Sequence, residues 1–292
     1  MSRSKLKSLY ITLYITLLVL AGMHSIVAFI SSGFAVAWLG AVLATAPMMA
    51  FFGWLGLSQT PRTSPNLSYH LILALVGTII SAMGVFVENF NSMLPLIYSG
   101  GIALLGTLVY VFWYSRFGRH RSAVIEVGKV LPQFSVEEVN GKNIDSKQFR
   151  GNYTIFLFFR GNWCPLCMAQ IKEIAAQYQS LEANGVRVAL ISPQSHANTQ
   201  KLARTMEVAF DYLVDKDFQA AKKLGIFQED GLPMGMQVMG YDSDTTLPTV
   251  IITDPLGNII LSDQTDNYRV RPEPALFNEV IQTHKKSGIV PM

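Results

Sequence analysis

The sequence predicts a membrane α-helical bundle of four transmembrane helices, followed by an α/β domain. Two observations predict the bundle: four long apolar segments fill the first part of the chain, and none contains Lys, Arg, Asp or Glu. A third predicts the α/β domain, because short β-branched and aromatic runs then alternate with segments of helical periodicity. Only 15% of the residues are charged, against about 25% in soluble domains. We place the transmembrane domain at 1–116, a basic linker at 117–127 and the second domain at 128–292.

The apolar segments cover residues 9–30, 34–57, 71–87 and 93–115. Each is near the ~20 residues that a helix needs to cross ~30 Å of hydrocarbon, although the third is short. The connections at 31–33 and 88–91 carry no Lys or Arg, whereas basic residues precede the first span, separate the second from the third and follow the fourth. Because basic loops stay in the cytoplasm, we predict a multi-pass protein of the inner (plasma) membrane with both termini cytoplasmic and the lipid bilayer as partner.

A cleaved signal peptide is an alternative for the first span. The basic start fits, but the apolar run is longer than a usual signal core and no small-residue cleavage site follows it.

A haem site is the alternative interpretation of His24 and His70. At ~1.5 Å rise per residue, the predicted topology places these two histidines at depths in the membrane that differ by roughly 20 Å, so one iron cannot bind both. We therefore expect no cofactor in the spans.

The second half predicts one mixed α/β sheet. Asn140-Gly141 between the runs 134–139 and 142–145 is a strong hairpin signal. The remaining predicted elements are buried strands at 153–159 and 186–191, a helix at 164–183, helices at 197–206 and 218–224 around a strand at 212–214, a hairpin of 249–253 and 258–261, and a terminal helix at 274–285. Strands that alternate with helices favour an α/β sheet closed by a hairpin and a helix.

Cys164 and Cys167 are the only cysteines, and they lie where the predicted strand 153–159 gives way to a helix. A pair at this spacing can open and close one local disulfide. Unpaired N–H groups and the helix dipole favour a thiolate at the helix start, so we expect a lowered pKa and the nucleophilic role at Cys164. Cys167, one turn further, would resolve the mixed disulfide. Pro165 presets a helical φ, and Trp163 would shield the pair and contact a substrate.

The order of these parts resembles a known family. The run Arg-Gly-Asn-Trp-Cys-Pro-Leu-Cys at 160–167 after a buried strand, the early hairpin and Leu-Pro-Thr-Val at 247–250 are similar to the thioredoxin superfamily. They are most similar to its redoxin branch, which includes peroxiredoxin-like proteins of the alkyl hydroperoxide reductase/thiol-specific antioxidant group. The resemblance covers about 128–286 and implies a thioredoxin-like fold. It also implies a cis bond before Pro248 that faces the dithiol, and a Leu247 backbone that binds the substrate chain.

Departures from the family pattern bear on the chemistry. Thioredoxin has a buried Asp at the position of Phe158, so proton transfer needs another group. Peroxidases of the peroxiredoxin family have Thr or Ser at the position of Gly161, and without that hydroxyl strong peroxide activation is disfavoured. Arg160, together with Arg269 or Arg271, is a candidate to supply positive charge near the thiolate, and a surface or structural role is the favoured alternative for each.

We therefore predict a membrane-anchored thiol–disulfide oxidoreductase that exchanges its disulfide with protein dithiols and is reduced by a cytosolic thiol donor. A thiol peroxidase, a membrane redox sensor without turnover and a redox-inactive binding module remain open. Zinc needs four ligands, and the second half adds only His196 and His284 to the cysteine pair, so we expect no metal. No basic stripe predicts nucleic-acid binding.

Overall fold

The protein is described by a computed structural model that covers residues 2–58, 60–87 and 91–287. The chain forms two compact units: one comprises Met1–Ser58, Thr63–Arg116 and Pro233–Gly235, and the other comprises Gln59–Arg62, Phe117–Leu232 and Met236–Met292. Most of the predicted connection at 88–91, and the end of the second domain at 288–292, lie outside the described residues. The domain boundaries drawn at 116 and 127 stay a prediction.

Within the described ranges, four helices of the first unit are long and apolar enough to cross a membrane by length and composition. They are α1 (Arg3–Ser31), α2 (Val36–Leu57), α3 (Ser68–Phe86) and α4 (Leu94–Tyr114). The predicted bundle of four apolar helices is thus confirmed. Helix α1 begins before the apolar run because the Ser2 side chain caps it and accepts a hydrogen bond from Lys5 N.

Small residues bring α2 and α3 into close contact. A Cβ on Gly77 would lie 2.5 Å from the carbonyl oxygen of Gly40, and one on Gly84 would lie 2.4 Å from Ala37 N. Across the same contact the Ser81 hydroxyl donates to Ala37 O at 2.9 Å. Close backbone approach with interhelical hydrogen bonds is how helices associate in lipid, where no hydrophobic effect drives them together.

The second unit contains a seven-stranded sheet in the order β2-β1-β5-β4-β3-β8-β9 and a separate β6-β7 pair. Its strands are β1 (Ser135–Glu138), β2 (Asn143–Asp145), β3 (Tyr153–Phe158), β4 (Val186–Ser192), β5 (Asp211–Val214), β6 (Phe227–Gln228), β7 (Thr245–Thr246), β8 (Thr249–Thr253) and β9 (Ile259–Asp263). Its helices are α5 (Pro165–Ala175), α6 (Tyr178–Ala183), α7 (His196–Met206), α8 (Gln219–Lys223) and α9 (Pro274–Lys286). Strands β3, β4 and β5 run parallel, while β8 pairs antiparallel with β3.

The predicted α/β sheet and both predicted hairpins are confirmed, the first with Gly141 at φ +84°. One helix prediction is wrong: the segment 164–183 is two helices rather than one. No Pro or Gly marks this break. Gln177 leaves helical geometry at φ −101° and ψ 9°, and its side chain accepts a hydrogen bond from Asn278 Nδ2 at 3.0 Å. A contact with the distant helix α9 accompanies the break, so local periodicity does not reveal it.

Candidate redox site

Both cysteines lie at the start of α5, directly after the buried central strand β3. Cys164 is the N-cap residue, and its Sγ accepts a hydrogen bond from Cys167 N at 3.3 Å. Pro165 occupies the first helical position, where its missing N–H leaves no bond unmade. Both sulfurs are free thiols, with Cys164 4% exposed and Cys167 fully buried. This is the arrangement predicted from the C-x-x-C spacing, with the first cysteine the more accessible.

The structure changes the expected distribution of charge within the pair. Burial raises the pKa of Cys164 well above its usual range, and the neighbouring Cys167 thiolate adds to this effect. Burial also opposes ionisation of Cys167, but the hydrogen bond from Cys164 and the positive charge of Arg271 outweigh it and lower the pKa of Cys167 to about 6. The lowered pKa predicted for Cys164 is therefore found on Cys167. Since the two sulfurs share one proton, the first ionisation belongs to the pair.

Two of the predicted arginines lie beside the dithiol. Arg271 Nη2 is 3.8 Å from Cys167 Sγ, and Arg271 Nε donates to Tyr268 O at 3.0 Å. The Arg160 backbone N–H is hydrogen-bonded to Cys167 and favours its thiolate. The Arg160 guanidinium carbon lies 4.6 Å from the centre of the Trp163 ring. Both arginines are 8% exposed, so each positive charge acts on the sulfurs with little solvent screening.

The sequence did not single out the residues that hold the loop before Cys164. Asn162 N donates to Gln194 Oε1 at 2.9 Å, and Gln194 Nε2 donates back to Asn162 Oδ1 at 3.0 Å. Asn162 Nδ2 also donates to Asn198 O at 2.8 Å. Gln194 is only 4% exposed. This reciprocal amide pair ties the cysteine loop to the segment after β4, and no spacing signal links the two residues in sequence.

Gly161 occupies the position where peroxiredoxin peroxidases have Thr or Ser. Its φ is +143°, a conformation that side chains rarely adopt. A Cβ at this position would also lie 2.9 Å from atoms of the Trp163 ring. The backbone and the indole together therefore account for glycine at this position.

The segment around Pro248 differs from the expectation. Leu247 and Pro248 are buried, but no cis peptide bond occurs in the described residues, so the predicted cis bond before Pro248 is not found. The trans isomer is the one that X-Pro bonds favour by about 0.5–1 kcal/mol. The Leu247 N–H donates to Ile226 O at 2.7 Å, and Leu247 O accepts from the Thr249 hydroxyl at 2.9 Å. The substrate-binding role given to Leu247 and Pro248 stays a prediction.

Arg269, His196 and His284 are the remaining candidates. Arg269 is fully buried and its backbone N–H donates to Asn267 Oδ1 at 3.1 Å. His196 Nε2 lies 2.9 Å from a carboxylate oxygen of Glu137, and His284 Nδ1 lies 3.1 Å from the Tyr153 hydroxyl. Neither of these two histidine contacts involves the dithiol, so the structure does not assemble the zinc ligands considered from the sequence.

Comparison with known proteins relates this unit to a family. Residues 127–262 match the AhpC/TSA family. Among curated proteins, the thiol-disulfide oxidoreductase ResA of Bacillus cereus is 27% identical over 138 residues, which cover 47% of this chain and 75% of that protein. ResA of Bacillus subtilis is 24% identical over 160 residues, covering 54% of this chain and 78% of that protein. The predicted resemblance to redoxins of the thioredoxin superfamily is confirmed.

Solved structures are also similar in outline. AhpC of Enterococcus faecalis has a TM-score of 0.45 and 16% identity, and the match covers 57% of this chain and 96% of that one. A peroxiredoxin-like protein of Aquifex aeolicus has a TM-score of 0.46 and 13% identity, with 57% and 90% covered.

Proposed function

We propose that this chain, whose residues 127–262 match the AhpC/TSA family, is a membrane-anchored thiol–disulfide oxidoreductase. Its relatives named thiol-disulfide oxidoreductases support an oxidoreductase enzyme that acts on protein dithiols and disulfides. The finer proposal is that Cys164 and Cys167 carry the exchange. The observations that support it most directly are the hydrogen bond from the Cys167 backbone N–H to Cys164 Sγ and the position of Arg271 Nη2, 3.8 Å from Cys167 Sγ.

In the proposed resting state Cys167 is the thiolate and Cys164 holds the shared proton, because the pKa of Cys167 is about 6 and that of Cys164 is raised. When a partner disulfide approaches Cys164, the proton passes from Cys164 Sγ to Cys167 Sγ along the side-chain hydrogen bond between the two sulfurs. The Cys164 thiolate then attacks one partner sulfur, a new S–S bond forms and the partner S–S bond breaks. The expelled partner sulfur takes a proton from solvent.

Resolution uses the second cysteine. Cys167 gives its proton to the remaining partner sulfur as it attacks Cys164, so the Cys164–Cys167 disulfide forms and the partner leaves as a dithiol. Two electrons have then moved from the protein to the partner, and a cytosolic thiol donor returns them. Trp163, half-buried and directly before Cys164, offers the apolar surface against which the partner chain would lie. Pro165 is exposed beside it.

The location is also a proposal. The four apolar helices support insertion in the inner (plasma) membrane, and the positions of the basic residues support cytoplasmic termini. A reporter enzyme fused after Met292 tests this topology, because some reporters are active only inside the inner membrane and others only outside it. Activity only on the outer side would contradict the cytoplasmic assignment and would favour an oxidase or isomerase over a reductase.

The deciding experiment compares protein-disulfide reduction with peroxide consumption, using the detergent-solubilised full chain and dithiothreitol. We expect disulfide reduction that disappears in Cys164→Ser, while Cys167→Ser accumulates a mixed disulfide with the substrate. Little peroxide loss should accompany it, because Gly161 supplies no hydroxyl beside the sulfur. Efficient Cys164-dependent peroxide consumption would replace the proposal with a thiol peroxidase, a function to which the AhpC/TSA match also points. Oxidation-dependent partner binding without turnover would instead favour a redox sensor.

A further inference from the structure

Arg160 is a buried cation whose charge has no carboxylate partner among the described residues. It is 8% exposed. One guanidinium nitrogen, Nη2, donates to Gly231 O, and the guanidinium carbon lies 4.6 Å from the centre of the Trp163 ring and 5.9 Å from that of Phe117. Its Nε is buried and has no hydrogen-bond partner within the described part of the chain. A buried charge with an unused donor is costly unless something binds it.

The thiolate does not balance this charge. Arg271, also 8% exposed, already lies 3.8 Å from Cys167 Sγ, and within the described residues its guanidinium donates to that sulfur and to the Tyr268 carbonyl. One thiolate therefore faces two guanidinium groups, which leaves the reduced site with a net positive charge. The second charge is not needed to neutralise the sulfur.

The place of Arg160 relates this charge to the substrate. Its backbone is bonded to Cys167, while its guanidinium lies against Trp163, the residue directly before Cys164. A disulfide that contacts Cys164 and Trp163 thus brings its flanking groups to the Arg160 side chain. Guanidinium N–H groups bind carboxylates through charge-assisted hydrogen bonds, which are about twice as strong as neutral ones.

We propose that Arg160 forms an anion subsite beside the dithiol, and that the preferred substrates are disulfides flanked by a carboxylate. This inference rests on the proposed thiol–disulfide exchange and specifies its substrate class. The carboxylate comes either from a small anionic disulfide or from an acidic residue next to a protein disulfide.

The test is a charge series measured on the detergent-solubilised full chain. Rates of reduction are compared for glutathione disulfide, which is anionic, hydroxyethyl disulfide, which is neutral, and cystamine, which is cationic. Two peptides with an internal disulfide, flanked by Glu in one and Gln in the other, represent the protein source. The variants are Arg160→Gln, Arg160→Lys and a matched control, Arg204→Gln, which removes the same charge from an exposed position of α7.

The ratio of rates for anionic and neutral disulfides is the decisive quantity. Loss of the Arg160 charge also destabilises the thiolate, and this lowers the reduction rate of every disulfide by the same factor. Loss of an anion subsite lowers the rate for anionic disulfides alone and therefore changes the ratio. We expect wild type to favour the anionic member about tenfold, which corresponds to one charged hydrogen bond of about 1.4 kcal/mol. Arg160→Gln should bring the ratio near one, Arg160→Lys should keep part of it and Arg204→Gln should leave it unchanged. A preference confined to glutathione disulfide or to the Glu peptide identifies the source of the carboxylate.

A binding measurement separates this proposal from the exchange activity itself. S-methylglutathione carries the carboxylates but no reactive sulfur, so its binding can be followed by the fluorescence of Trp163, with Trp163→Phe to subtract the other tryptophans. We expect a saturable change in wild type that Arg160→Gln loses. If Cys164-dependent reduction shows no charge preference and S-methylglutathione causes no fluorescence change, the anion subsite is overturned and the exchange activity stands. Binding without reduction of any disulfide overturns the exchange function and leaves the subsite supported.

Discussion

Replacing Arg271 with Met should make the dithiol harder to ionise. Arg271 Nη2 lies 3.8 Å from Cys167 Sγ, and two unit charges at this distance attract by about 1 kcal/mol in water and about 4 kcal/mol at an effective dielectric constant of about 20. Because both groups are buried, the value for bulk water underestimates their attraction. Water molecules that enter the space left by the Arg271 side chain replace part of the lost interaction. Each 1.4 kcal/mol changes the thiolate fraction about tenfold. We therefore expect the thiolate fraction below the pKa of the variant to fall by at least about fivefold.

The sign follows from the charge. Arg271 stabilises the thiolate form, so the pKa of Cys167, about 6 in this structure, should rise in Arg271→Met and stay low in Arg271→Lys. Ultraviolet absorbance of the thiolate, titrated with pH, measures this directly in the reduced full chain. The double variant Cys164→Ser/Cys167→Ser provides the baseline.

A titration midpoint that does not move in Arg271→Met would refute the electrostatic argument, provided that the thermal unfolding of the variant resembles that of wild type. The control matters because Arg271 Nε also holds the Tyr268 carbonyl at 3.0 Å. If the pKa of Cys167 rises as much in Arg271→Lys as in Arg271→Met, the geometry of the arginine rather than its charge sets this pKa.

Two further changes test the framework of the site, and a third tests a buried carboxyl group elsewhere in the second unit. Gln194→Leu leaves the Asn162 backbone N–H and side-chain Oδ1 without their partner, so we expect about 1–3 kcal/mol lower stability and slower disulfide reduction; unchanged turnover would show that the loop does not depend on this pair. Gly161→Ala forces a side chain into φ +143° and against the Trp163 ring, and disulfide reduction should fall sharply, whereas full activity would contradict this account of the loop. Burial raises the pKa of Asp215 to about 6, above its usual ~3.9, so its contribution to stability is present below about pH 4 and is lost as pH rises through about 6. Thermal unfolding against pH should therefore show wild type losing stability relative to Asp215→Asn over this interval, and parallel curves would exclude the effect.

Much of the site was predictable because its signals are local. A strand that ends before Cys164, a proline directly after it and a second cysteine one turn on all follow from residues within about fifteen positions of each other. In the structure, Cys164 caps α5, as this local pattern predicts. The four apolar helices were predictable for a related reason, because crossing hydrocarbon imposes a length and a composition that short windows of sequence display.

The rest depends on contacts between distant segments. Gln194 meets Asn162 because parallel pairing of β3 and β4 brings the ends of both strands to the same edge of the sheet. The lowered pKa was predicted for Cys164 because the sequence shows the helix terminus, whereas it could not show which of the two sulfurs Arg269 or Arg271 would face. Arg271 is more than a hundred residues from Cys167, and only the folded chain shows that it lies beside the second cysteine.

The position of Arg271 also bears on the missing acid. In thioredoxin a buried Asp lies at the position of Phe158, and here that side chain is fully buried and apolar, so no carboxylate can receive the Cys164 proton there. In the proposed exchange, a thiolate at Cys167 accepts the same proton along the side-chain hydrogen bond between the two sulfurs, provided that something keeps Cys167 ionised beforehand. Arg271 does this from a position where it is 3.8 Å from Cys167. In the proposed exchange, Arg271 thus takes the place of the acid by keeping the second cysteine ionised, so that this cysteine acts as the base for the first.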